Sequence, residues 1–215
     1  MGQDRAIVFI DGNNWYHGLR DVGVSDLLRL DYAKISQKLV GPARQWIGTR
    51  YYIGRMRQDH SAQLYSDQRS FLSRLEKKDA RITTHLGRLE SRVVTNPMAG
   101  DLDDYLNELQ ARHIRLDKGV FHSLRDIAAR HRRAPVLVEK AVDVMLAVDM
   151  VMMAQRGEYE AGYLLSADGD YTPVADAVRA LGKKIYAASP LQGAQLAARV
   201  NSFIPLAPKW FIDCY

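Results

Sequence analysis

The 215-residue chain is expected to adopt an α/β fold, with a mainly parallel sheet covered by helices on both faces. Three features lead there. Short apolar runs rich in β-branched and aromatic residues recur along the chain, segments with helical apolar spacing separate them, and two of the runs carry acids at their ends. In such sheets ligands collect beyond the carboxyl ends of the strands, where the winding direction reverses. The acids that follow the runs are therefore the first candidates for a site.

The first strand is "AIVFI" (6–10), closed by Asp11, Gly12 and Asn13. "LDYAKISQKLV" (30–40) reads as a helix opened by Asp31, and "WIGTRYYIG" (46–54) as a second strand closed by Gly54. "SAQLYSDQRSFLSRLEKK" (61–78) carries Leu64, Phe71, Leu72 and Leu75 at helical spacing, and a third strand fits within 81–94. Two helical patterns separated by Lys118-Gly119 occupy 101–133, and the single domain spanning 1–215 is expected to carry a helical insertion at 99–134. "EKAVDVMLAVDMVMMAQRG" (139–157) reads as one long helix ended by Gly157. "AGYLLS" (161–166) is a fourth strand; a helix with Pro173 in its first turn and a stop at Gly182 follows, then another strand to 188. A last helix and the edge strand "SFIPL" complete the pattern by 206.

Composition narrows the function classes. One cysteine, Cys214, allows neither an internal disulfide nor a cysteine zinc site. The acid at position 11 interrupts the first apolar run too early for a signal-peptide core, and no run approaches the roughly 18 apolar residues of a membrane span, so a cytoplasmic protein without membrane contact is expected. The net charge is +5, unevenly spread: residues 44–92 hold eleven Lys/Arg against five acids, a net of +6, and leave the remainder near −1. A basic segment joined to an acidic site suits a polyanionic substrate.

Asp11 and the pair Asp168/Asp170 converge if the first and fourth strands are neighbours, and Gly169 lets a tight loop turn both later acids to one side. Asp143 stands near the start of the helix, where an acid also complements the helix dipole. Asp149, six residues on, lies about 120° round an ideal helix, with Arg156 or a backbone group as its expected partner. Position twelve from Asp168 is Arg179 where a calcium loop needs glutamate, which excludes that motif. Carboxylates forced together repel unless a divalent cation neutralises them, and oxygen-only ligands suit Mg2+ or Mn2+. The six histidines show no ligand spacing, and Ser166 has no evident base beside it.

The segments "VFIDGNNWY" (8–16), "EKAVDVMLAVDM" (139–150), "YLLSADGDYTPVADAVRALGKKIY" (163–186) and "LAARVNSFIPL" (196–206) resemble, in order, those of the NYN domain, in the LabA-like branch of the PIN-like ribonuclease superfamily. The resemblance implies a three-layer α/β/α sandwich and a magnesium-dependent endoribonuclease site acting on RNA. By position, Asp11, Asp143, Asp168 and Asp170 match the catalytic, metal-holding acids. Asn14 matches an asparagine of the first loop, Ser166 a small hydroxyl residue, and Lys140 the "KAVD" lysine that could touch a phosphate. Arg55 and Arg57, just beyond "TRYYIG", are expected to hold the RNA backbone beside the acids. Asn201 replaces an aspartate frequent in the family, and three roles are open to the insertion: capping the site, contacting RNA or mediating dimerisation. The competing functions are a non-catalytic RNA-binding module and a haloacid-dehalogenase-like phosphatase. Asn13, where the phosphatase needs its second acid, speaks against the latter.

Overall fold

A strand can be buried on both faces only if every residue tolerates it, and β1 (Asp4–Asp11) is buried from Ala6 onward in the computed structural model, which describes residues 2–215. It is followed by α1 (Gly12–Asp21), α2 (Tyr32–Val40), β2 (Arg44–Arg55), α3 (Ala62–Lys78) and β3 (Ile82–Thr95). Next come α4 (Pro97–Ala111), α5 (Lys118–His131), β4 (Arg133–Lys140), α6 (Val142–Gln155) and β5 (Ala161–Leu165). The chain closes with α7 (Thr172–Ala180), β6 (Lys184–Ser189), α8 (Ala194–Ala197) and β7 (Ser202–Pro205).

The sheet runs β4-β3-β2-β1-β5-β6-β7. The pairings of β1 with β2 and β5, of β2 with β3, and of β6 with β5 and β7 are all parallel. The chain winds outward from β1 through β2 to β3 and later restarts beside β1 at β5. The switch in winding therefore lies between β1 and β5, as the acids after the two strands suggested.

Alternation along β1 divides the core. Ala6, Val8 and Ile10 pack with Trp15 and Leu19 of α1, Ile35 of α2 and Phe71 and Leu75 of α3. Ile7 and Phe9 pack on the other face with Leu146 and Met150 of α6 and Val174 and Val178 of α7. These are the three layers of an α/β/α sandwich. Residues Met1–Arg88 and Glu139–Tyr215 form one unit and Leu89–Val138 a second. Within the second, α4 is capped by Asn96, which accepts the Met98 amide at 3.1 Å, and α5 by Asp117, which accepts those of Gly119 and Val120. Ala99, Leu106 and Ala128 are its buried apolar residues on these helices.

Three readings of the sequence need correction. Lys118-Gly119 does not separate the two helices of the second unit; it opens α5, because Asp117 caps that helix, and the break lies at 112–117. The helix read from 139 starts at Val142, because Ala141 adopts a left-handed conformation (φ 69°) and Glu139-Lys140 finish the additional strand β4. Asp149 is not paired with Arg156. It accepts the Tyr52 hydroxyl at 2.7 Å and stands 3.4 Å from the Arg50 guanidinium, joining α6 to β2.

The turn from β1 into α1 works only with glycine. A Cβ on Gly12 would stand 2.6 Å from the Tyr52 carbonyl oxygen and 2.7 Å from the Tyr51 ring, and backbone cannot step aside cheaply. Gly12→Ala is expected to cost about 1–3 kcal/mol, read as a lower urea midpoint at unchanged slope. An unchanged midpoint would mean that the turn is looser than this packing.

Candidate active site

The site is built from the end of β1 outward. Asp11 is 3% exposed and caps α1, its Oδ1 accepting the Asn14 amide at 3.2 Å. The parallel register sets Ile10 beside Leu165, so the residue after β5, Ser166, emerges next to Asp11. Its buried hydroxyl donates to Asp11 Oδ2 at 3.3 Å and accepts the Asp168 amide at 3.1 Å. The Asn14 side chain accepts the Ala167 amide at 3.1 Å, tying the start of α1 to the loop after β5. Two neighbouring strand ends thus become one rigid rim.

Beyond that loop, Asp168 caps a short 3-10 turn, Gly169–Tyr171, by accepting the Asp170 amide at 2.9 Å. The turn leaves Asp170 exposed and sends Tyr171 inward, where it is 2% exposed. The Tyr171 hydroxyl lies 3.3 Å from Asp11 Oδ2 and 3.1 Å from Asp143 Oδ1, in the first turn of α6. A phenol has one proton for these two acceptors. It bridges the carboxylates yet satisfies only one of them at a time.

The structure therefore gathers Asp11, Asp143, Asn14, Ser166 and Tyr171. Asp168 and Asp170 stand on the adjoining turn, with no hydrogen bond to Asp11 or Asp143 among the described residues. Also among the described residues, no three or more His, Cys, Asp or Glu side chains are arranged to hold a metal ion. Lys140 is half-buried at the end of β4, three residues before Asp143. Arg55 is exposed at the end of β2, and Arg57 is held by Asp59 through two hydrogen bonds of 2.7 and 3.1 Å.

Two residues escaped the sequence reading. Tyr171 carries no signal in the sequence, and only the turn geometry gives it a role. Glu139 was assigned to a helix. At the end of β4 it carries a buried Oε1 without a hydrogen-bond partner among the described residues.

Electrostatics couples these acids. Burial pushes the Asp11 carboxyl up to about 6, against the pull of the Asn14 amide, and Asp143 adds repulsion. Burial likewise raises Glu139 to about 7, with Asp11 and Asp143 contributing and the Gly54 amide opposing. The Tyr171 phenol is raised by burial and by the two carboxylates it faces, so it stays protonated and donates. No lysine or arginine lies within 4.0 Å of any of these acids among the described residues.

A scan against family models matches the NYN domain over residues 5–207. That family belongs with the PIN-like nucleases, and the match is compatible with its LabA-like branch. No match was found among curated proteins. Among solved structures, a crystal structure of a protein of unknown function from Vibrio parahaemolyticus is similar, with a TM-score of 0.53 and 13% identity over 95% of this chain and 94% of that one. At that identity the likeness concerns the fold.

A carboxyl whose folded-state pKa is raised binds its proton more tightly in the native state. Its favourable contribution is complete below the unfolded value near 3.8 and is lost as pH rises through about 6. In EDTA the protein is expected to lose stability between pH 4 and pH 7. Asp11→Asn should remove about 2–3 kcal/mol of that loss while matching the parent at pH 4. Urea titrations across this range check it, and a parent curve that stays flat would contradict the uncompensated burial.

Proposed function

The chain belongs to the NYN domain family, and on that footing we propose that it is a metal-dependent endoribonuclease, hydrolysing RNA phosphodiester bonds at the carboxyl edge between β1 and β5. The observation that carries this reading is the approach of Asp11 and Asp143 to one hydroxyl with no lysine or arginine within 4.0 Å of either among the described residues. A buried carboxylate that faces a second acid, as Asp11 faces the exposed Asp143, is costly unless a positive partner arrives with the substrate.

Donor chemistry fits Mg2+ or Mn2+. The acids offer oxygen only, and Mg2+ is commonly held by one or two carboxylates together with waters and substrate phosphates. Asp11 and Asp143 would hold the ion, with Asp168 and Asp170 completing its surroundings from the adjoining turn. When bound, such an ion supplies charge against the phosphate oxygens and acidifies water.

The chain's own side chains set the geometry. Tyr171 keeps the two carboxylates at a fixed separation, and Ser166 fixes the second oxygen of Asp11. Asn14 holds the loop after β5, so that Asp168 keeps its place relative to Asp11. Lys140 and Arg55 have no acidic partner within 4.0 Å among the described residues and would meet the phosphates, whereas Arg57 would first have to leave Asp59. The second reading, an RNA-binding module without hydrolysis, draws on the position of Asp168 and Asp170 on the adjoining turn, with no hydrogen bond to Asp11 or Asp143 among the described residues.

A fluorescently labelled RNA incubated with Mg2+, Mn2+ or EDTA separates the two. Internal cleavage is expected only with metal, and Asp11→Asn and Asp143→Asn should each lower the rate about a hundredfold or more. Binding without cleavage under every condition would leave the module reading in its place. Tyr171→Phe removes the bridging hydroxyl alone, and is expected to weaken metal-dependent activity about tenfold, with the loss partly recovered at higher metal concentration. A rate equal to the parent's at every metal concentration would mean that the bridge positions nothing.

A further inference from the structure

At the carboxyl edge the β2–β3 register sets Arg55 directly opposite Arg88. Like charges opposed across a strand pair repel, and both side chains are exposed without an acidic partner within 4.0 Å among the described residues. Both alternate onto the α3 face of the sheet, since Ile53 and Leu86, two residues before each, pack into the core on that side. A groove of about 340 Å3 opens there, with Arg55, Tyr65, Arg69 and Thr84 on its walls and Met56 and Leu72 among its apolar residues. Glu76, the acid that lines it, is turned to Thr84, whose hydroxyl it accepts at 2.5 Å.

The groove is rigidly framed. Gln68 of α3 accepts the Met56 amide and donates to the Gly54 carbonyl oxygen, both at 2.8 Å, so its amide clamps the backbone on either side of Arg55. A second hollow of about 590 Å3 shares Arg55, Met56 and Tyr65 with the first. Arg55 and Arg69 on the walls, Arg88 beside Arg55 across the strand pair just outside the lining, an aromatic ring and apolar side chains around a space of this size match one nucleotide, with its phosphate toward the guanidinium groups and its base on the ring.

We infer that this groove binds a nucleotide of single-stranded nucleic acid flanking the scissile bond, its phosphate held by Arg55 and Arg88, and its base stacked on Tyr65. The inference rests on the nucleic-acid reading of the acidic site. Asp11 is in register with Tyr52, so Arg55 lies about 10 Å further along β2, and the strand crosses the sheet edge from the α6 side to the α3 side.

The test is fluorescence anisotropy of a labelled twelve-residue oligouridine and its deoxy counterpart over a salt series, with the full chain carrying Asp11→Asn. Arg55→Ala with Arg88→Ala should weaken binding about thirtyfold at low salt, and flatten the log-affinity slope by about 1.4. Tyr65→Ala should weaken it about tenfold with the slope unchanged, while Tyr65→Phe binds as the parent does. Arg156→Ala, at the far end of α6, should change nothing. Equal losses on the two oligonucleotides would mean that phosphate and base carry the groove without the 2′-hydroxyl, and a larger loss on RNA would add a contact to it. Either pattern supports the groove. Titrations of the arginine and tyrosine variants that coincide with the parent, or a parent that binds neither oligonucleotide, would overturn it. Loss of binding in these variants, with no cleavage of any RNA by the wild-type chain, would leave the groove standing and remove the nuclease reading.

Discussion

The desolvation of Asp11 is the constraint around which the site is arranged. A carboxylate at the end of a strand buried from Ala6 onward has lost most of its water, and here a second acid, Asp143, meets it through one shared hydroxyl. Hydrogen bonds from Asn14 and Ser166 stabilise its ionised form, but burial outweighs them and the carboxyl remains raised to about 6. Structural acids in the same chain behave differently. Asp31 caps α2, lies 2.9 Å from Lys78 and is lowered despite its burial. The chain neutralises Asp31 with a lysine and, among the described residues, leaves Asp11 without one, which is the contrast on which the proposed cation rests.

The sheet makes that arrangement rigid. Parallel pairing of β1 with β5 puts two loop starts side by side, and they are locked across the gap by the Ala167 amide donating to the Asn14 side chain and the Ser166 hydroxyl donating to Asp11. Gly12 lets α1 begin against the Tyr52 carbonyl, so the helix amide can reach Asp11. The left-handed Ala141 ends β4 and starts α6 at once, placing Asp143 in a first helical turn where the dipole favours an anion. Each device acts locally, and together they hold two carboxylates that would otherwise move apart.

Much of this was legible in the sequence because the signals are local. "AIVFID" announces a buried strand with an acid at its end, and Asp31 and Gly54 mark their elements near the observed boundaries. The strand β4 was not legible. It joins two charged ends through a short apolar run, and its Glu139-Lys140 adjoin an apolar helix that masks the break at Ala141. For Asp149 the sequence offered Arg156 or a backbone group of its own helix, but its partners, Arg50 and Tyr52, are about a hundred residues away in the chain and meet it only through packing. Tyr171 was invisible for a similar reason, since a tyrosine after "DGD" gives no sign that a 3-10 turn will aim its hydroxyl between two acids.

The central claim is that Asp11 is a desolvated carboxylate awaiting a cation, and its own protonation curve reports this most directly. Carbon-13 carboxyl NMR of the metal-free protein, with Asp11→Asn identifying the resonance, should show a midpoint near 6 that moves well downward when Mg2+ is added. A midpoint at the ordinary aspartate value near 3.8, or one that saturating Mg2+ and Mn2+ leave unmoved, would contradict the account.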